Sequence, residues 1–164
     1  MIRPQMNKSV LCAVIVSQLE AAVNFASAAA DQARATATDK QNIAENKYDT
    51  LGLEAAYLAH GQSERVVQLA KATEDFRELQ KTVRPHDRIA VGSLVALEDD
   101  SGSARYVFVG PSAGGDMVAF EGINVTVITA SSPLGRSLMT LASGDELMTE
   151  IAGKKITYLI SALW

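Results

Sequence analysis

The sequence contains one cysteine, Cys12, among its 164 residues. A lone cysteine excludes an intramolecular disulfide framework and any zinc site built from several cysteines. It is also typical of proteins kept in a reducing compartment, so we expect a cytoplasmic protein.

Long apolar runs are lacking as well. The apolar run nearest the N-terminus, Val10–Val16, is interrupted soon afterwards by Gln18 and Glu20. A run of about seven residues is at the short limit for a secretory signal, and a membrane span needs about 20. We therefore expect neither a cleaved signal nor a membrane span.

An excess of positive charge is absent too, since the formal net charge is −4. Residues 1–84 carry ten basic and ten acidic side chains, whereas residues 85–164 carry five and nine. An acidic second half favours a basic or neutral protein partner over a phosphate backbone. Broad non-specific binding to nucleic acid is therefore not expected.

Proline is missing from residues 7–83, where Gly52 and Gly61 are the only glycines. Ala, Leu, Glu, Gln and Lys dominate this stretch, a composition typical of helices. Two series of residues recur at alternating steps of three and four, which is the pattern of a coiled-coil seam. The first series is Cys12, Ile15, Leu19, Ala22, Ala26, Ala29 and Ala33, and the second is Leu51, Ala55, Leu58, Gln62, Arg65, Leu69, Ala72, Phe76, Leu79 and Val83.

The segment between the two series, residues 36–46, is polar and has no apolar periodicity. Two helices joined by a short polar connection run antiparallel. We therefore predict one helical hairpin over residues 8–83, with its turn between Ala37 and Ile43 and arms of about 45 Å at 1.5 Å per residue. The same composition suits a structural coiled coil between two copies of the chain, and this alternative stays open.

The pair Arg84-Pro85 ends the helical pattern, because proline removes a backbone donor and disfavours a helical residue before it. Beyond it, the sequence predicts a hairpin turn at Asp99–Gly102 and a short helix over Pro133–Leu141 with a serine cap. Strands are predicted by alternating or β-branched segments: Val91–Leu97, Tyr106–Val109, Val125–Thr129 and Lys155–Ile160. The prediction is an α+β protein, with a helical hairpin over residues 7–84 and a small β-rich domain over residues 85–164.

The second half resembles the C-terminal domain of the Gre family of transcription elongation factors, which has an FKBP-like fold. The most specific element is the stretch Ser132–Leu138, which reads Ser-Pro-Leu-Gly-Arg-Ser-Leu, followed by Gly144-Asp145. The resemblance extends to the first half, where Glu45-Asn46 falls at the family's hairpin tip. It covers nearly the whole chain and points to a non-standard branch of the family with an altered tip.

The resemblance implies a partner, bacterial RNA polymerase, and contact with nucleic acid only indirectly, through that polymerase. Gre factors insert the hairpin into the secondary channel of the polymerase, while the C-terminal domain docks on the channel rim. It implies that the docking segment here consists of Ser132, Pro133, Leu134, Gly135 and Arg136. In cleavage factors of the family, two tip carboxylates spaced Asp-x-x-Glu help to hold an Mg²⁺ ion at the polymerase active centre.

This chain departs from that tip pattern, because the matching positions read Asn42-Ile-Ala-Glu45. An amide oxygen can ligate Mg²⁺ but brings no charge to offset it, so the shared site is expected to be weak. Asp39 and Asp49 are nearby acids that would serve in a different register. No metal or cofactor of the chain's own is expected, and Glu45 is the candidate ligand for an Mg²⁺ ion shared with the polymerase.

Together these observations predict a monomeric polymerase accessory factor that is not itself an enzyme. It would occupy the secondary channel and modulate elongation with little stimulation of transcript cleavage. One alternative is an active cleavage factor that uses Asp39 and Glu45. Another is an FKBP-type prolyl isomerase, which is disfavoured because such sites need a pocket of aromatic side chains and this domain has few.

Overall fold

The computed structural model describes residues 6–39, 50–151 and 153–164. They form two long helices followed by a mixed β-sheet and a short third helix, which confirms the predicted α+β fold. The helices are α1 (Lys8–Thr38), α2 (Leu51–Thr82) and α3 (Pro133–Leu138). The strands are β1 (Leu94–Asp99), β2 (Ala104–Gly110), β3 (Met117–Phe120), β4 (Ile123–Thr129), β5 (Glu146–Ile151) and β6 (Lys154–Leu163).

The chain divides into two compact units. One, the helical unit, comprises residues 17–73; the other, the sheet unit, comprises residues 1–16 and 74–164. The sheet unit therefore includes the first turns of α1 and the last turns of α2. The predicted domain boundary between residues 84 and 85 stays a prediction.

Within the helical unit the two helices pack through small side chains. Ala26, Ala30 and Ala33 of α1 are buried, as are Ala55 and Ala59 of α2. The guanidinium of Arg34 donates a hydrogen bond to the Ser63 hydroxyl at 2.9 Å. These small side chains form the buried seam of the helical unit.

The predicted seam of α2 is wrong at two positions. Leu58 is 57% exposed and Arg65 is also exposed, whereas Ala59 is buried and Val66 is half-buried. The seam therefore passes one residue further along the chain at both points. The physical reason at position 65 is that burial of the arginine charge would be costly.

Helix α1 continues through Thr38, slightly beyond the approximate start predicted for the turn at Ala37. The hydroxyls of Thr36 and Thr38 donate to the carbonyl oxygens of Gln32 and Arg34, at 3.1 and 2.9 Å. These bonds satisfy the threonine side chains inside the helix, so residues 36–38 need not leave it. The rest of the predicted turn, through Ile43, lies outside the described residues.

The sheet unit contains six strands in the order β3-β4-β2-β1-β6-β5. Strands β2 and β4 pair in parallel, and the other neighbours are antiparallel. The turn predicted at Asp99–Gly102 is present: the Asp99 carboxylate accepts from the Ser101 and Ser103 amides at 2.9 and 3.0 Å. The Ser101 hydroxyl donates to the same carboxylate at 2.6 Å, and this bond, together with those from the two amides, lowers the pKa of Asp99.

The strands predicted from sequence did not include β3 or β5, and the predicted third helix extended beyond Leu138. The helix stops there because Thr140 has a left-handed backbone, with φ of 72°, and its amide donates to Ile89 O. The core lies between the sheet and α3 and includes Val107, Leu138 and Ile160, all fully buried. The end of α2 contributes Phe76, whose ring centre lies 6.2 Å from that of Phe108.

Helix α1 is long and apolar enough to cross a membrane by length and composition. The expectation that the chain has no membrane span stays a prediction. The criterion is weak for a single helix, because a core helix of a soluble protein and an N-terminal signal also meet it.

Candidate functional site

Ser132 positions the docking segment by capping α3. Its hydroxyl accepts a hydrogen bond from the Gly135 amide at 3.0 Å and donates one to Thr129 O at 2.7 Å. Pro133 occupies the first turn, where its missing N–H costs no helical hydrogen bond. Ser132 is thus explained by the local fold, as its position before a proline predicts.

Gly135 is required for steric reasons. A Cβ at this position would lie 1.9 Å from Thr129 O and 2.9 Å from the Ser132 hydroxyl oxygen. The helix therefore packs directly against the backbone at the end of β4, and any larger residue would push it away. Like Ser132, Gly135 fixes where the docking segment sits. Gly135 itself has no side chain that a partner could contact.

Pro133 and Arg136 are the members of the docking segment whose side chains are exposed. The Arg136 guanidinium donates to Ser131 O, which holds the side chain over the start of α3. Leu134 is half-buried and packs on the core. The structure therefore assigns different roles to the five predicted residues. Pro133 and Arg136 can contact a partner, whereas Ser132 and Gly135 position the helix. Leu134 packs on the core.

A groove of about 430 Å³ runs beside the docking segment. Ser132, Pro133 and Leu134 form one wall, and the edge strand β5 contributes Thr149 and Glu150. The remaining lining comes from β2, β4 and the loop before β3, namely Arg105, Gly114, Gly115, Thr126, Val127, Ile128 and Thr129. A neighbouring protein segment could enter this groove and contact both walls.

None of the side chains that line this groove is aromatic. Phe108 and Phe120 are buried in the sheet unit, and Tyr158 belongs to its core. Binding of a prolyl peptide bond needs an apolar aromatic pocket. The groove therefore gives no support to the prolyl isomerase alternative.

The predicted tip residues are only partly described by the structure. Asp39 follows directly after α1 and is exposed. Asn42, Glu45 and Asp49 lie outside the described residues, so their spacing from Asp39 stays a prediction. On the far side of the connection, the Thr50 hydroxyl donates to the Glu54 carboxylate at 3.0 Å in the first turn of α2.

In the described part of the chain, no three His, Cys, Asp or Glu side chains are grouped so that they could hold a metal ion. The Gly144-Asp145 pair of the family resemblance has a local role instead. The Asp145 carboxylate accepts from the Ala142 amide at 2.8 Å, and Gly144 has a φ of 97°. This pair shapes the turn into β5.

Sequence reasoning missed the second wall of the groove. Thr149 and Glu150 carry no motif, and their position beside Pro133 depends on the pairing of β5 with β6. It also missed the burial of Lys8, which is 7% exposed. A lysine at the start of a helix is ordinarily solvated, and no sequence signal distinguished this one.

Comparison with known proteins gives structural likenesses only. No protein-family model matches the chain, and no curated protein matches it. Among solved structures, it is similar to the GreA factor homolog 1 (Gfh1) of Thermus thermophilus, at 19% identity and a TM-score of 0.39, covering 91% of this chain and 94% of that one.

A structure of the transcription factor Gfh1 matches at 21% identity and a TM-score of 0.41, covering 90% of this chain and 92% of that one. Gfh1 of Thermus aquaticus matches at 18% identity and a TM-score of 0.40, with the same two coverages. Such low identities and TM-scores do not establish family membership, and they carry no argument about function.

Proposed function

We propose that this protein is a Gre-like accessory factor that binds bacterial RNA polymerase at the secondary channel and modulates transcription. In this proposal the paired helices enter the channel and the docking segment contacts its rim. The protein acts in the cytoplasm as a monomer and leaves catalysis to the polymerase. It stimulates transcript cleavage poorly.

The observation that carries the proposal is the pairing of two long helices within one chain. Helices α1 and α2 have 31 and 32 residues, which corresponds to about 46 and 48 Å at 1.5 Å per residue. In the helical unit their adjoining ends, Thr38 and Leu51, flank the predicted tip. A pair of helices of this length is suited to carry a few side chains deep into a narrow channel.

The same pairing supports a monomer. In the helical unit, the apolar seams are already covered by the partner helix of the same chain, through Ala26, Ala30, Ala33, Ala55 and Ala59. In the sheet unit, the Gln80 side chain donates to Ser9 O at 3.2 Å, which joins the end of α2 to the start of α1. A second copy of the chain is not needed to bury these surfaces.

The docking segment supports contact with the polymerase through two exposed side chains on a rigid support. Ser132 and Gly135 fix α3 against β4, so Pro133 and Arg136 are presented in a defined position. Rigid presentation lowers the entropy lost on binding. Beside them, the groove provides a recess for an apolar side chain of the partner.

The first experiment is a binding assay with purified core RNA polymerase. We expect Arg136→Glu to weaken binding about tenfold or more, because it reverses a charge at the interface. Arg77→Glu is the matched control: Arg77 is also exposed in the sheet unit, where it pairs with Glu74 on α2. It should bind as the parent does.

Absence of binding by the parent protein, with circular dichroism showing a folded chain, would contradict the proposal as a whole. Equal losses in the two arginine variants would contradict the assignment of the docking segment while leaving polymerase binding intact. Sedimentation of the free protein as a dimer would favour the alternative of a structural coiled coil.

A further inference from the structure

A cavity of about 610 Å³ lies at the start of α1 in the sheet unit, away from the docking segment. Its apolar lining includes Val83, Pro85, Leu163 and Trp164, and its polar lining includes Lys8. A volume of this size is in the range of pockets that hold small organic ligands. The function proposed above makes no use of this cavity.

Lys8 is the unusual member of the lining, because it is 93% buried. Its ammonium donates one hydrogen bond, to Arg84 O at 2.5 Å. An ammonium group has three donors, so two remain after this bond. None of the described carboxylates forms an ion pair with Lys8, and a buried charge without a counter-charge is costly.

Arg84 adds a second positive charge to the lining of the cavity. Burial lowers its pKa to about 8, partly opposed by the Cys12 thiol one helical turn further on. Burial also lowers the pKa of His86, and the charges of Lys8 and Arg84 lower it further. Asp87 acts on His86 in the opposite direction. Lys8 and Arg84 are therefore the two basic residues that line the cavity.

We propose that this cavity binds a small organic carboxylate, with the anionic group on the Lys8 ammonium and the apolar part against Leu163 and Trp164. The carboxylate accepts the two remaining lysine donors and supplies the counter-charge that the described residues lack. The apolar part of the ligand packs against the side chains of Leu163 and Trp164. Charge-assisted hydrogen bonds of this kind are among the strongest in proteins.

The alternative role of Lys8 is structural. Its hydrogen bond to Arg84 O satisfies a carbonyl just beyond the end of α2, and a lysine that only did this would need no ligand. The two roles predict different effects of a carboxylate on Lys8. A ligand would raise its pKa by supplying a negative charge, whereas a purely structural lysine would be unaffected.

The binding experiment uses the fluorescence of Trp164, the only tryptophan in the chain. Hexanoate carries both features of the proposed ligand, hexanamide is its neutral match, and acetate lacks the apolar part. We expect hexanoate to give a saturable change and to bind at least about tenfold more tightly than either match, since each feature lost should cost about 1.4 kcal/mol or more. Equal affinities for hexanoate and hexanamide would overturn the proposal.

Substitution tests the role of Lys8 directly. Lys8→Met should weaken hexanoate binding at least about tenfold, whereas Lys155→Met, which removes an exposed lysine on β6, should leave it unchanged. Undiminished binding by Lys8→Met would refute the site.

A second measurement needs no variant. The pKa of Lys8, followed through the NMR shift of its Cε carbon, should rise by about one unit or more in saturating hexanoate. A rise of about one unit means that the protonated lysine binds hexanoate about tenfold more tightly than the neutral lysine does. An unchanged pKa would also overturn the proposal. Neither experiment involves the polymerase, so their outcome is independent of the function proposed above.

Discussion

Replacement of Gly135 by alanine is the most direct test of how α3 is held in place. The added Cβ would lie 1.9 Å from Thr129 O, a backbone atom that cannot rotate away as a side chain would. The same oxygen accepts hydrogen bonds from the Ser132 amide and hydroxyl, at 3.0 and 2.7 Å. Relief of the clash must therefore displace α3 and weaken its cap together.

The expected loss is the sum of two effects. Overpacking in a well-packed region costs about 1–3 kcal/mol, and loss of a serine cap costs about 1 kcal/mol. We expect Gly135→Ala to lower the free energy of unfolding of the sheet unit by about 2–4 kcal/mol. For a chain of this length that corresponds to a fall in melting temperature of roughly 5–15 °C.

Gly61→Ala is a matched control that makes the same chemical change inside α2. No atom lies within 4 Å of a Cβ built at Gly61, so the alanine meets no clash. It should stabilise the helix by about 0.5–1 kcal/mol, because glycine loses more backbone freedom than alanine on folding.

Thermal unfolding followed by Trp164 fluorescence reports on the sheet unit, and far-UV circular dichroism reports mainly on the helices. Gly135→Ala should also weaken polymerase binding, which Gly61→Ala should not. If Gly135→Ala melts at or above the parent temperature, the close contact between α3 and β4 does not restrain the segment, and the steric reasoning fails.

Three further predictions follow from single groups. Lys8 has a folded pKa of about 8 and an ordinary value of 10.5, so above pH 8 the unfolded chain binds more protons and stability rises. The gain between pH 8 and 9 is at most about 1 kcal/mol, because cavity water screens the charge; above pH 9 the raised pKa of Cys12 opposes it. Urea unfolding across this range should show the rise in the parent and lose it in Lys8→Met. Ser132→Ala should cost about 1 kcal/mol in the same assay, and no loss would mean that Pro133 alone starts α3. Asn42→Asp should raise cleavage of backtracked transcripts by roughly two decades if the tip is aligned correctly, because a second carboxylate adds several kcal/mol of metal stabilisation. Strong cleavage by the parent, abolished by Asp39→Ala, would instead place the metal pair at Asp39 and Glu45.

The elements that could be predicted from sequence are those fixed by local chemistry. Absence of proline over residues 7–83 and the break at Pro85 were enough to define two long helices and a change of fold. The start of α3 was also predictable, because a serine followed by proline is a strong helix-start signal.

What could not be predicted depends on tertiary contacts. The seam of α2 shifted at Leu58 and Arg65 because the neighbouring residues Ala59 and Val66 fit the same three-four spacing, and spacing alone does not decide between them. The burial of Lys8 depends on segments that are more than seventy residues away in sequence, at Arg84 and Trp164. No pattern within α1 contains that information.

The docking segment shows how a sequence motif can mix two kinds of constraint. Ser132 and Gly135 are needed to start α3 and to let it touch β4, whatever the protein binds. Their presence therefore supports the local fold more strongly than it supports the function. Pro133 is compatible with both, since it starts the helix and is also exposed. Arg136 is the residue for which the fold gives the weakest reason, because its one described bond is to the Ser131 carbonyl at the surface. A variant at Arg136 consequently separates the two constraints in a way that variants at Ser132 or Gly135 cannot.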